Sequence, residues 1–73
     1  MDEQKLERDI QGDIDAMRIR GNTVGEMQQA AWAARAVSHG ASIEIDPRNG
    51  QQSINGRPLC AAAAIMARFY AKH

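Results

Sequence analysis

The sequence predicts a small α+β domain spanning residues 1–73, in the order helix–helix–β-hairpin–helix. Three observations predict it. Apolar residues recur at steps of three and four near both ends of the chain. Between them the pattern switches to alternation in "ASIEID". Turn chemistry separates the periodic stretches, as RGN at 20–22, DPRNG at 46–50 and NGRP at 55–58.

The first helix is expected over residues 3–19, where Leu6, Ile10, Ile14 and Met17 form one stripe. Acids crowd its first turn, where the helix dipole favours them. Gly12 costs about 1 kcal/mol against alanine within it. The second helix is expected over 24–39. Thr23-Val24-Gly25-Glu26 has the form of a capping box, and Gly40 suits a left-handed C-terminal cap. Val24, Met27, Ala31, Ala34 and Val37 or Ser38 make its expected inner face.

A hairpin follows over 42–54. Ile43 and Ile45 should share one side, with Ser42, Glu44 and Asp46 on the other. Pro47 presets one dihedral of the turn, and Asn49-Gly50 are expected to supply positive ones. NGRP then reads as the turn before a third helix over 58–71, with Pro58 at its first position. That helix holds nine residues without a charge or amide, Leu59 to Ala67. Leu59, Ala62 or Ala63, Met66 and Phe69 or Tyr70 form one face. Ala61, Ala64, Ile65 and Arg68 occupy much of the other. A helix apolar nearly all round is central or lies in an interface.

Length and composition favour the interface. A chain of 73 residues buries only about 60% of its unfolded surface, so its private core is thin. Cys60 is the single cysteine, so no internal disulfide forms. Cys60, His39 and His73 have no zinc spacing. Self-association is the remaining support, as a homodimer or higher oligomer through Leu59, Ala61, Ala64, Ile65, Arg68 and Phe69, with Trp32 beside them. No metal and no cofactor are expected. The acidic start has no signal-peptide pattern, and the apolar run is far short of the roughly 20 residues that span a bilayer. The expectation is a cytoplasmic protein that does not enter a membrane.

Nine basic and nine acidic side chains balance, which disfavours a dedicated nucleic-acid binder. The charge is uneven. Residues 1–15 carry six acids, and residues 57–73 carry Arg57, Arg68 and Lys72 with no acid. One end of the chain is thus suited to attract the other, within a molecule or between two.

Catalytic groups are sparse. Cys60 starts a helix, where a thiolate is favoured, but a cysteine in an alanine run also behaves as a small hydrophobe. Asp9, Asp13 and Asp15, and separately Glu44 and Asp46, read as solvated faces. The RGNT and NGRP turns each join an arginine to Gly and Asn before a helix, where free amides suit an anion. Arg20, Asn22, Arg48, Asn55, Gly56 and Arg57 are the candidate anion-binding residues. Trp32, Arg35 and His39 line one side of the second helix; a Trp beside an Arg is common at contact hot spots, and Trp32 is equally the obvious filler of a core, or of a subunit contact, that lacks large residues.

These features favour a non-enzymatic, homo-oligomeric binding protein of accessory or inhibitor type, docking on another macromolecule. The size resembles that of small phage and plasmid regulators. The alternative is an oligomer that captures a phosphate-bearing small molecule such as a nucleotide. A DNA-binding regulator comes third, because the second helix carries only Arg35.

Overall fold

The computed structural model describes residues 3–71. It has three helices and a three-stranded antiparallel sheet: α1 (Glu3–Ile19), α2 (Val24–Ser38), β1 (Glu44–Ile45), β2 (Gln52–Ile54), β3 (Arg57–Pro58) and α3 (Ala61–Tyr70). The α+β class agrees with the sequence reading. One strand and the start of α3 do not.

Both long helices end as their sequences dictate. At the end of α1 the Asn22 amide donates to the Met17 carbonyl and the Gly21 amide to Arg18. At the end of α2 the Ala41 amide reaches Ala36 and Gly40 reaches Val37. Each is a Schellman pair, and each needs a residue at positive φ, supplied by Gly21 (89°) and Gly40 (104°). The capping box before α2 is complete. The Thr23 hydroxyl accepts from the Glu26 amide at 3.1 Å, and the Glu26 carboxylate accepts from the Thr23 amide at 2.8 Å.

NGRP is not the turn before a helix. Asn55 and Gly56 both take positive φ, 52° and 79°, the requirement of a two-residue type I′ hairpin turn. They join β2 to β3, with Ile54 opposite Arg57 and Ser53 opposite Pro58. Pro58 therefore lies in an edge strand, and α3 starts at Ala61 with Cys60 as its N-cap. The hairpin expected over 42–54 is present but short, pairing Glu44 with Ser53 and Ile45 with Gln52. In its turn only Gly50 has positive φ. Asn49 instead accepts the Gln51 amide on its side-chain oxygen at 2.9 Å. Ile43 packs on the core while Ile45 is exposed, so the two do not share an inner side.

The core is built from one stripe of each helix. Leu6, Ile10, Ile14 and Met17 of α1 are buried as their spacing predicts. In α2 the buried set is Ala30, Ala33, Ala34 and Val37, a face rotated from the expected one, and Val24 is exposed. The rotation follows from α3, whose Ala63, Ala64 and Ala67 are also buried. Methyl-sized side chains on both helices let α2 and α3 pack closely, and this is the most extensive packing in the chain. The small-residue surface expected to meet another subunit thus meets the chain's own second helix. Ala64 and Leu59, both named as interface residues, belong to the internal core. Ile54 of β2 and Ile10 are the largest fully buried side chains.

Candidate functional site

Helix α3 has two unlike faces. Ala63, Met66, Ala67 and Tyr70 are turned inward. Ala61, Ile65, Arg68 and Phe69 are exposed, at steps of four, three and one along one helical stripe. Ile65 and Phe69 stay 59% and 61% exposed. The chain measures 36 × 30 × 15 Å. Its elements lie in a slab half as thick as it is wide, which leaves this face of α3 open.

A groove of about 420 Å³ runs beside that stripe, between α1 and α3. Met17 and Ala16 form its wall on one helix, with Ala62, Ile65, Met66 and Phe69 on the other. Its polar groups stand on α1 and just beyond it, as Asp13, Arg20 and Asn22. The Tyr70 hydroxyl, at the end of α3, donates to the Asp13 carboxylate at 2.7 Å. The lining then extends forward along α1 to Arg20 and backward along α3 to Ala61. The two helices therefore border the groove in opposite senses, with Asp13 and Phe69 at one end and Arg20 and Ala61 at the other. Burial, and next the bond to Asp13, push the Tyr70 phenol well above its ordinary pKa.

The six candidate anion residues do not form one cluster. Arg20 and Asn22 line the groove. The Asn22 side-chain amide already donates to Glu26 at 3.2 Å, so the start of α2 is occupied by the chain's own carboxylate. The Thr23 amide, and then Asn22, hold that carboxyl below its ordinary pKa. Asn55 and Gly56 form the β2–β3 turn and are at no helix N-terminus. Arg57 lies over the ring of half-buried Trp32, 4.6 Å from its centroid, a cation–π pairing. Arg48 is held by Asp46 at 3.2 and 3.3 Å, and the same bonds lower the Asp46 pKa. Arg20 differs from these. Among the described residues its guanidinium has no hydrogen-bond or ion-pair partner.

Of the seven expected interface residues, Ala61, Ile65, Arg68 and Phe69 share the open face. Leu59 and Ala64 are internal, and Trp32 is engaged with Arg57. The expected attraction between the chain's two ends takes a different form. Glu7 of α1 accepts two bonds from Arg35 of α2, both 2.8 Å, and those bonds lower the Glu7 pKa. Asp13 meets Tyr70. Lys72 and His73 lie outside the described residues.

Cys60 and His39 are not brought together. His39 is 3.6 Å from Glu3 at the far end of α2. The Cys60 amide donates to the Gln29 side chain at 2.8 Å. Gln29 precedes His39 by ten positions, or about 15 Å along the helix axis. Among the described residues, no group of three or more His, Cys, Asp or Glu side chains is placed to hold a metal ion. No described helix is long and apolar enough to cross a membrane.

Gln29 is the residue that sequence reasoning missed. Its carboxamide also donates to the Pro58 carbonyl at 2.8 Å. One side chain thus fastens the β3–α3 junction to α2 and helps place α3 beside the groove. A glutamine in the middle of a helix carries no sequence signal of such a role. The Asn55-Gly56 hairpin did carry one, in the Asn-Gly pair itself.

The fold and groove define a small α+β protein with an open apolar helix face. No protein-family model, curated protein or solved structure matches the chain.

Proposed function

We propose that this chain is a non-enzymatic binding protein of accessory type that self-associates through the outer face of α3 and docks on another macromolecule. The observation that carries the reading is the pair Ile65 and Phe69, one turn apart on α3 and more than half exposed beside an apolar groove. Exposed apolar residues are ordinary when scattered, but grouped on one face they mark contact surfaces. The thin alanine core of α2 and α3 supports the same reading. Arg57 on Trp32 offers a second contact of the residue types that dominate binding hot spots.

The test is solution mass by light scattering after size exclusion, with Ile65→Glu beside the parent. The reading expects an oligomer that the charge disperses while the circular dichroism spectrum is kept. An unchanged mass in Ile65→Glu, or a monomeric parent, removes α3 as the surface of self-association.

A second reading is capture of a small phosphate-bearing molecule in the groove. Arg20, without a hydrogen-bond or ion-pair partner among the described residues, favours it, together with the start of α3, where Cys60 makes no side-chain cap. Nucleotides would then raise the melting temperature according to RT ln(1 + [L]/Kd), and Arg20→Ala would abolish the rise. No rise with any nucleotide tested removes nucleotide capture as a reading.

A further inference from the structure

We infer that the α1–α3 groove is closed by a second copy of this chain, related by a two-fold axis passing near Ile65. The inference rests on the self-association reading above and assigns its geometry.

Three properties of the groove point to its own copy as the occupant. Its ends carry opposite charges, Asp13 at one and Arg20 at the other. They are seven positions apart along the chain, about 10 Å along the α1 axis. Its ends are also unlike in bulk. Exposed Phe69 stands at the Asp13 end, whereas alanines 61 and 62 floor the Arg20 end. Ile65 lies midway between Ala61 and Phe69. A two-fold rotation about the middle exchanges the ends. It brings each Arg20 towards the other copy's Asp13, seats each Phe69 ring over the other copy's alanine floor, and packs Ile65 against Ile65. A contact between identical faces must be complementary to itself in this way. A parallel stacking of the same faces would set Arg20 against Arg20 and Phe69 against Phe69.

Arg20 is available for this, having no carboxylate partner among the described residues. Asp13 uses its Oδ2 for Tyr70, which leaves Oδ1 to face an incoming guanidinium. The acid partner is therefore already oriented by Tyr70 before a second copy arrives.

The decisive experiment uses two charge-reversed chains. Arg20→Glu alone sets a new carboxylate against Asp13 twice in every homodimer. Asp13→Lys alone sets a new ammonium group against Arg20 twice. A parallel arrangement would already set like charges together in the parent, so neither variant alone would weaken it further; in the two-fold arrangement the ends of a mixed dimer are crossed. There the unaltered Arg20 of one chain meets the unaltered Asp13 of the other, and the introduced carboxylate meets the introduced ammonium group. Each variant alone should weaken dimerisation by about tenfold or more, and an equimolar mixture should recover the parent's mass in light scattering. Because Asp13→Lys also removes the Tyr70 bond, a second arm is independent of it. In a Cys60→Ser background, Ile65→Cys should give a covalent dimer with oxidised glutathione, since residues on the axis approach their own copies closely enough for a disulfide. Gln28→Cys, exposed on α2, should not.

If Ile65→Glu disperses the parent but the mixture stays monomeric and Ile65→Cys does not cross-link, association through α3 stands and this arrangement is wrong. If the parent is monomeric at millimolar concentration, both fall, and the groove belongs to another occupant.

Discussion

Removing the Gln29 side chain should loosen α3 without touching its open face. Its carboxamide makes two bonds of 2.8 Å, accepting from the Cys60 amide and donating to the Pro58 carbonyl. Each contributes a net of about 0.5–1.5 kcal/mol. The Cys60 site is part-buried and its amide is left without that acceptor, so it belongs at the upper end of the range. The Pro58 carbonyl is exposed and regains water, so it belongs at the lower end. Gln29→Ala should therefore cost about 2 kcal/mol. For a chain of this size that corresponds to a fall of about 10 °C in melting temperature. Urea denaturation and thermal melts at one fixed concentration measure it. Gln28→Ala is the control, because Gln28 is exposed and should stay within about 0.5 kcal/mol. Hydrogen exchange adds a local reading, with the Cys60 amide losing protection before the amides of α1. A Gln29→Ala variant as stable as the control, with Cys60 still protected, would refute the view that this side chain holds the junction.

Two further predictions concern the core and its pH dependence. Ile54→Ala empties a fully buried site between sheet and helices and should cost about 3–4 kcal/mol by urea denaturation, much of the total stability of so small a chain. Tyr70 has a raised pKa when folded and an ordinary value of 10.0 when unfolded. The neutral phenol is the form the fold prefers, so its contribution is complete below pH 10 and declines as pH rises beyond it. Alkaline denaturation should be shallower in Tyr70→Phe, which cannot ionise, and equal midpoints in the two proteins would contradict the assignment.

The fold is legible wherever the deciding interactions are local. The capping box at Thr23–Glu26 and the glycine after α2 need only neighbouring residues, and both are found as read. The stripe of α1 is legible because large aliphatic residues stand out against polar ones. The face of α2 is not, because nine of its residues are apolar and five of those are alanines. Periodicity cannot rank one alanine above another, and the packing of α3 chooses among them. The Asn55-Gly56 turn misleads for a related reason. Pro58 suits both a helix start and an edge strand, and only the pairing of Ile54 with Arg57 decides between them. The groove depends on the opposed course of α1 and α3, which no local pattern specifies. Ile65, Phe69 and Arg20 each stand out in the sequence, but not their shared place beside it.

Pro58 closes one side of the sheet to growth. β3 is an edge strand, and Pro58 has no amide hydrogen to offer an incoming strand. Its carbonyl, the remaining group an added strand would need, is already taken by Gln29. Only the β1 edge is left, where Ile45 is exposed. A third molecule cannot add across a β3 edge, so strand addition ends at a pair and cannot build a cross-β fibril from the folded state. Gln29→Ala would free the carbonyl but not restore a donor. The proline alone should keep concentrated solutions of the folded variant free of fibrils.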